Sequence, residues 1–388
     1  MKNLIKRIIR AHFPNIPPLR KLLNANKLKY INKYIMKEED ALAGESNLER
    51  QKQIVEEYSL KWPKYCKQLN KKIDEYISKC ESVGSRSDIA DLRRKVLFAC
   101  YAYGFMPDEF FAYELEYKGR AERLSYYSNT EVLNFVYNMN DIVDVGIYFD
   151  KYQTYKKFKK YYRRDAVCLE KASDYSAFVD FLKKHPVFVK KDVTLSKGDS
   201  VERIDTHSCG KKSRQLFDEM IVSGKHIVEE SVVQSAIMSR LNPSSVNTIR
   251  CMTFLTNEGI KIGPCFLKVG QGGAFVDNGA KGGILIGIDN RTGILETYGY
   301  DEFLTEYQNH PDTGISFVGY QLPEWEKMCA LAKEMSAQTP TVRYVGWDMA
   351  HTDKGWAVIE GNGSGQLIGP QIVWKRGFKE DINKIINK

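Results

Sequence analysis

Two carboxylates and an amide near the C-terminal end have the residue types and spacing of a divalent-metal site. They lie in G-W-D-M-A at 346–350 and V-I-E-G-N at 358–362. The interval from Asp348 to Glu360 suits a strand, a short turn at T-D-K-G (352–355) and a returning strand. Paired antiparallel strands can present both carboxylates on one face, and strand alternation puts Asn362 on that face too. Two carboxylates and an amide oxygen are hard ligands, suited to Mg2+ with nucleotide phosphates completing the shell. Two like charges held together are costly without a cation.

Upstream segments supply groups that suit an anionic partner. In F-V-K-K-D-V-T-L-S-K-G-D-S-V-E at 188–202, an apolar strand ends in Lys190, and a loop with Ser196, Gly198 and Ser200 leads to a second strand. Backbone N–H groups of such a tip can fold over phosphate oxygens, with the lysine neutralising them; an ordinary hairpin reads the same way. I-V-E-E-S-V-V at 227–233 is an apolar strand running into acids. It is either a common strand end or a hinge that pairs with an adenine edge. Arg250 and Lys268 sit on apparent strands with apolar residues alternating around them, so their charged heads are aimed or snorkel out. Asn278 with Gly282 and Gly283 forms a loop able to approach an anion closely.

The order of these pieces resembles the ATP-grasp superfamily. More narrowly it resembles the sugar-transfer-associated ATP-grasp domain found with bacterial surface-polysaccharide (capsule or O-antigen) biosynthesis. The matching text is Phe188-Val-Lys190, Val228-Glu-Glu230, R-L-N-P-S-S-V-N-T-I-R at 240–250, V-D-N at 276–278 with Gly282-Gly283, H-P-D-T-G at 310–314, G-W-D at 346–348 and I-E-G-N at 359–362. It covers residues 145–370, roughly.

The resemblance implies an α+β ATP-grasp fold, two lobes clamping ATP, preceded by a mainly helical N-terminal module. It further implies that Lys190 contacts ATP phosphates and the loop Ser196–Ser200 closes over them. Glu229, Glu230 and Val232 would line the adenine hinge. Arg250, Lys268 and Asn278 would face phosphate or an acyl intermediate, and Asp348, Glu360 and Asn362 would hold Mg2+. The implied activity is an ATP- and Mg2+-dependent carboxylate–amine ligase working through an acylphosphate on a sugar acid or glycan precursor. Two other readings stay open: a non-catalytic nucleotide-binding partner of membrane glycosyltransferases, and an ATP-grasp phosphotransferase. After E-G-N the chain has Gly363-Ser-Gly-Gln366 where the family often has an Asn-Pro-Gly-like turn, which bears on contacts to the acceptor. Such chemistry needs no protein nucleophile, and His207, His310 and His351 read as structural or surface residues.

The composition frames these elements. The chain has 388 residues, with 43% apolar, 28% charged and 12% aromatic, a globular composition large enough for two or three domains. It lacks any run of about 18 apolar residues, which excludes a membrane-spanning helix. The first 30 residues lack an apolar stretch of the secretory type. Residues 1–37 hold ten Lys/Arg and no Asp or Glu, whereas the remainder holds 48 basic and 49 acidic residues. The net charge of +9 is therefore +10 from one terminal segment and −1 from the body. A basic nucleic-acid face on the folded body is not expected. The segment 1–37 could lie peripherally on an anionic membrane or on glycosyltransferases. Eight cysteines without a C-x-x-C pair fit small buried hydrophobes in a reducing cytoplasm.

Four regions follow: the basic segment 1–37, a helical module 38–141, a small lobe 142–240 with the phosphate loop and hinge, and a large lobe 241–388 with the metal site. Strands are expected at Val143–Phe149, Pro186–Lys190, Val201–Ile204, His226–Glu229, Asn247–Leu255, Ile260–Val269, Gly283–Ile288, Tyr344–Met349 and Trp356–Glu360, and helices at 173–184, 213–222 and 323–338. In the basic-aromatic run 151–164, helical spacing makes Tyr152, Tyr155 and Tyr162 a packing stripe.

Overall fold

The structure is a computed structural model describing residues 16–194, 201–277, 282–365 and 367–387. Ser196, Gly198, Ser200 and Asn278 therefore lie outside the described residues, as does the amphipathic stretch at 2–10. The chain divides into two compact units. One takes residues 1–143, 302–305 and 366–388; the other takes 144–301 and 306–365. Residues 366–388 cluster with the helical unit.

That clustering has a clear cause. The helix Ile368–Val373 carries Gln371, which is fully buried. Its amide donates to the Tyr113 hydroxyl (2.8 Å) and the Tyr127 carbonyl (3.1 Å), and its oxygen accepts from the Tyr127 N–H (2.7 Å). The Lys379 ammonium reaches Glu131 at 2.7 Å. The rest of this unit is helical from Pro17–Ile31 to Asn129–Met139. A capping box sets the start of the helix Asn129–Met139: Ser128 accepts from Glu131 N–H while the Glu131 side chain reaches back to Ser128 N–H.

The second unit carries two antiparallel sheets. The small one is built from β1 (Ala166–Leu169), β2 (Val187–Asp192), β3 (Glu202–Asp205) and β4 (His226–Glu230) in the order β1-β4-β2-β3. The large one contains β5 (Thr248–Thr256), β6 (Gly259–Ile262), β7 (Cys265–Val269), β8 (Ile284–Ile288), β9 (Leu295–Tyr300), β10 (Glu306–Tyr307), β11 (Tyr344–Thr352) and β12 (Gly355–Asn362). Its order is β10-β9-β8-β7-β5-β11-β12, with β6 paired to β5. Most expected strands are present within two residues. The run Ile260–Val269 is two strands, because Pro264 has no N–H to donate to a ladder. Val143–Phe149 is not a strand: Asp144–Phe149 is a 3-10 helix that buries Val145 and Tyr148, three residues apart on one face.

Each sheet packs one face against helices and carries an ion cluster on the other. Phe188 and Val228 of the small sheet pack with Phe178 and Phe181 of the helix Tyr175–Lys184 and with Leu216 and Phe217 of the helix Ser213–Ser223. In the large sheet Ile249, Cys251, Trp347 and Met349 join Trp325, Met328, Ala332 and Met335 of the helix Trp325–Ser336. The Trp347 indole N–H donates to the Ser336 hydroxyl at 2.8 Å. In the helix Lys151–Tyr162, Tyr155, Phe158, Tyr161 and Tyr162 are buried and the intervening lysines outside the first turn are exposed.

The string 240–250 is a buried polar scaffold. Asn247 donates to the Met238 carbonyl (2.8 Å) and the Asn242 carbonyl (3.1 Å) and accepts from the Ser245 hydroxyl (3.1 Å). Asn242 in turn donates to Ser245 and to the Gly270 carbonyl, both at 2.9 Å. Gln234 spans the Asn242 and Ser245 carbonyls at 2.7 Å and accepts from Asn247 N–H at 2.9 Å. All four side chains are buried, and together they fix where β5 starts. Asn247→Ala strands several of these groups, each costing about 1–3 kcal/mol. Urea denaturation should show a loss of about 2–5 kcal/mol for this variant.

Candidate functional site

Strand register assembles the charged face of the large sheet. Asp348 on β11 lies directly opposite Arg250 on β5 and Glu360 on β12, and Lys268 on β7 lies opposite Thr248. Cross-strand partners share a face, so all five side chains are on the side away from the apolar core. Arg250 holds Asp348 with two nitrogens, Nη2 at 3.0 Å and Nε closer, and Lys268 Nζ is 3.2 Å from the same carboxylate. Asp348 is 3% exposed. Burial raises its pKa, but the two cations outweigh that and hold it at about 2. Asp277 accepts from the Thr248 N–H (3.0 Å) and hydroxyl, and burial raises its pKa against the pull of Lys268.

Glu360 and Asn362 sit beside this ion cluster on the same strand face. The Asn362 amide donates to Glu360 Oε1 at 3.1 Å, which leaves the amide oxygen to face a ligand. Gly361 lies between them where the Trp347 ring (2.8 Å) and the Tyr148 ring (2.9 Å) would meet a Cβ, so this stretch of β12 has no room for a side chain. The register steps from Asp348↔Glu360 to Met349↔Val358, a β-bulge at Ile359 immediately before Glu360.

The small sheet contributes a second cluster. Glu229 lies opposite Val189, on the face shared with Lys191. Lys191 Nζ is 2.9 Å from Glu229 Oε2, and Arg164 reaches the same oxygen through Nε (3.0 Å) and Nη2 (2.8 Å). Burial pushes the Glu229 carboxyl up, yet Arg164 and Lys191 prevail and hold it at about 2. Lys190 is one residue away and so points to the other face, where it pairs with Glu202. Glu230 shares the face of Phe188, and its carboxylate accepts from the Asp165 N–H at 3.1 Å. Val232 is half-buried in the segment after β4. Lys190 and Glu230 thus do not converge with Glu229.

A cavity of about 300 Å³ is lined by members of both clusters. Its lining includes Lys151, Thr194, Tyr148, Tyr162, Glu229, Glu360, Asn362 and Ser364. Lys151 opens the helix Lys151–Tyr162, whose N-cap Asp150 accepts from Tyr152 N–H and Gln153 N–H. Burial lowers the Lys151 pKa, while Glu360 and Glu229 oppose that shift. The sequence carried Lys151 inside a lysine-rich run with nothing to separate it from its neighbours; the capping acid before it is the one local signal. His310 and His351 serve the structure. His310 Nε2 is bonded to the Gly270 carbonyl (2.8 Å), and His351 sits between Ser235 (2.8 Å) and Glu324 (3.4 Å).

The residues present fit a divalent cation in part. Glu360 and Asn362 offer hard oxygens to the cavity. Asp348 already carries Arg250 and Lys268 on its two oxygens, so a divalent cation reaching it would compete with their charge.

Comparison with solved structures finds similarity to an ADP complex of purK, N5-carboxyaminoimidazole ribonucleotide synthetase (11% identity, TM-score 0.37, 58% of this chain and 47% of that one). The D-alanine–D-alanine ligase from Coxiella burnetii is similar at 11% identity and TM-score 0.38, over 62% of this chain and 56% of that one. The ATP-grasp ligase PsnB is similar at 10% identity and TM-score 0.37, over 62% and 61%. This chain thus spans less than two thirds of each of those structures. A comparison with curated protein sequences finds no match. The model of the sugar-transfer associated ATP-grasp domain matches residues 163–387, more than half of the chain and all of both charged clusters except Lys151, and the chain belongs to that family.

Proposed function

We propose that this protein is an ATP- and Mg2+-dependent ligase that joins a carboxylate to an amine through an acylphosphate. The observation carrying the proposal is the cavity lined by Lys151, Glu229, Glu360 and Asn362 together. The acid is a sugar acid or glycan precursor of a bacterial surface polysaccharide; support for that part is the family's association with sugar transfer.

In this reading a substrate carboxylate oxygen attacks the γ-phosphorus of ATP and ADP leaves. An amine nitrogen then attacks the acyl carbon, phosphate departs and the nitrogen gives up a proton. Lys151 and Lys191 draw in the phosphates, and the segment after Glu229, including Val232, meets the base. Arg250 and Lys268 face the transferred phosphate or the substrate carboxylate. Glu360, Asn362 and, in competition with its two cations, Asp348 would hold Mg2+, which when bound neutralises charge on phosphate oxygens. Positioning and charge neutralisation are all this chemistry asks of the chain.

One observation favours a second reading, a nucleotide-binding partner without turnover: Asp348 is already neutralised by two cations. ADP release across a panel of sugar acids and amines separates the two. Glu360→Gln removes one ligand and keeps an acceptor for the Asn362 amide, so the melting temperature should hold while Mg2+-dependent ADP release falls about 100-fold or more. Unchanged release would remove the metal role of Glu360.

Glu229 adds a pH signature. Its carboxyl sits at about 2 in the fold against an ordinary 4.5. Its contribution is complete above the unfolded value and is lost as pH falls from there toward 2. Glu229→Gln should cost about 3–5 kcal/mol at neutral pH, as breaking a buried pair does, and urea melts should show that gap narrowing in acid.

Peripheral membrane contact is a further part of the proposal. Along the helix Pro17–Ile31, Leu22 and Tyr30 are 58% and 62% exposed beside the exposed Lys21 and Lys29. Vesicles with anionic lipid should bind the protein, and Lys21→Glu/Lys29→Glu should weaken that by about tenfold or more. Equal binding to neutral and anionic vesicles would rule it out.

A further inference from the structure

Arg164 stands where the two charged clusters could be joined, and its contacts account for every guanidinium nitrogen. The side chain is 3% exposed. Nε and Nη2 donate to Glu229 on the small sheet (3.0 and 2.8 Å). Nη1 donates to the carbonyls of Val358 and of Tyr162 (3.3 Å), and Nη2 also reaches the Ile359 carbonyl at 3.2 Å. The guanidinium lies over the Tyr162 ring, 4.6 Å from its centroid.

The two β12 carbonyls are in a particular place. β12 is the last strand of its sheet, so carbonyls on its outer side have no further strand to pair with. Ile359 is the bulged residue, skipped in the register between Glu360 and Val358. A bulge re-aims the side chains next to it, and here the next side chain is Glu360. The guanidinium therefore fixes the bulge that aims Glu360, and with its other edge it fixes Glu229. A lysine could neutralise Glu229, but its single ammonium has no planar fork to span both partners.

We infer that Arg164 is a positioning residue that couples the metal-side carboxylate Glu360 to the nucleotide-side carboxylate Glu229, so that divalent metal and nucleotide strengthen each other's binding. The inference rests on the nucleotide reading above. Coupling between two ligands is reciprocal, so it can be read from either side.

The test is calorimetric titration of ADP into the full-length protein with Mg2+ and with EDTA, giving the ratio of the two affinities. In Arg164→Lys, ADP affinity in EDTA should stay within about threefold of wild type, while the Mg2+ enhancement shrinks by about fivefold or more. Glu229→Gln cuts the same link at its other end and should shrink the enhancement likewise. A merely structural Arg164 would lower the melting temperature and leave the ratio alone. An unchanged ratio in either folded variant, or a wild type that binds ADP with no Mg2+ enhancement, overturns the inference and leaves the nucleotide reading standing. A wild type that binds no ADP overturns both. Should neither variant fold, Arg164 is a stability residue and the inference falls.

Discussion

Carboxylates removed from water must be met by cations, and the second unit is organised around two such compensations. Asp348 is met by Arg250 and Lys268, and Glu229 by Arg164 and Lys191. An isolated buried carboxylate would be driven to its neutral form. Here each keeps its charge because two cations are delivered from neighbouring strands or from the chain just before β1. Sheet register does the delivering: Arg250 is opposite Asp348, and Lys191 shares the face of Glu229. A one-residue slip of β2 or β5 would turn one of the two cations away and leave the acid half compensated.

That dependence on parity explains what could be read from residue order and what could not. The D…E-x-N spacing on paired strands was legible, because a short turn between alternating strands leaves few registers. The helical leader and most strand positions were legible from periodicity. The choice between Lys190 and Lys191 was not. Two lysines at adjacent positions give the same local pattern, and only pairing with β4 says which shares a face with Glu229. Nor was Asp348's engagement with Arg250, a contact across 98 residues of chain.

Other misses have local causes. Val143–Phe149 has the apolar content of a strand, yet Val145 and Tyr148 at a spacing of three serve a 3-10 turn equally well, and tertiary packing selects it. The string 240–250 looked distinctive and is so for packing: its asparagines satisfy buried carbonyls and present Arg250 without themselves reaching the cavity. Lys151 was hidden among lysines that lie on the outside of the same helix.

The helical unit also joins segments far apart in the chain. Tyr113 and Tyr127 wait for the amide of Gln371, 258 and 244 residues later. As the protein leaves the ribosome, the helical segments that carry Tyr113 and Tyr127 emerge long before the amide that joins them. A nonsense codon between positions 363 and 371 would leave both sheets fully encoded and remove Gln371 from the domain made first.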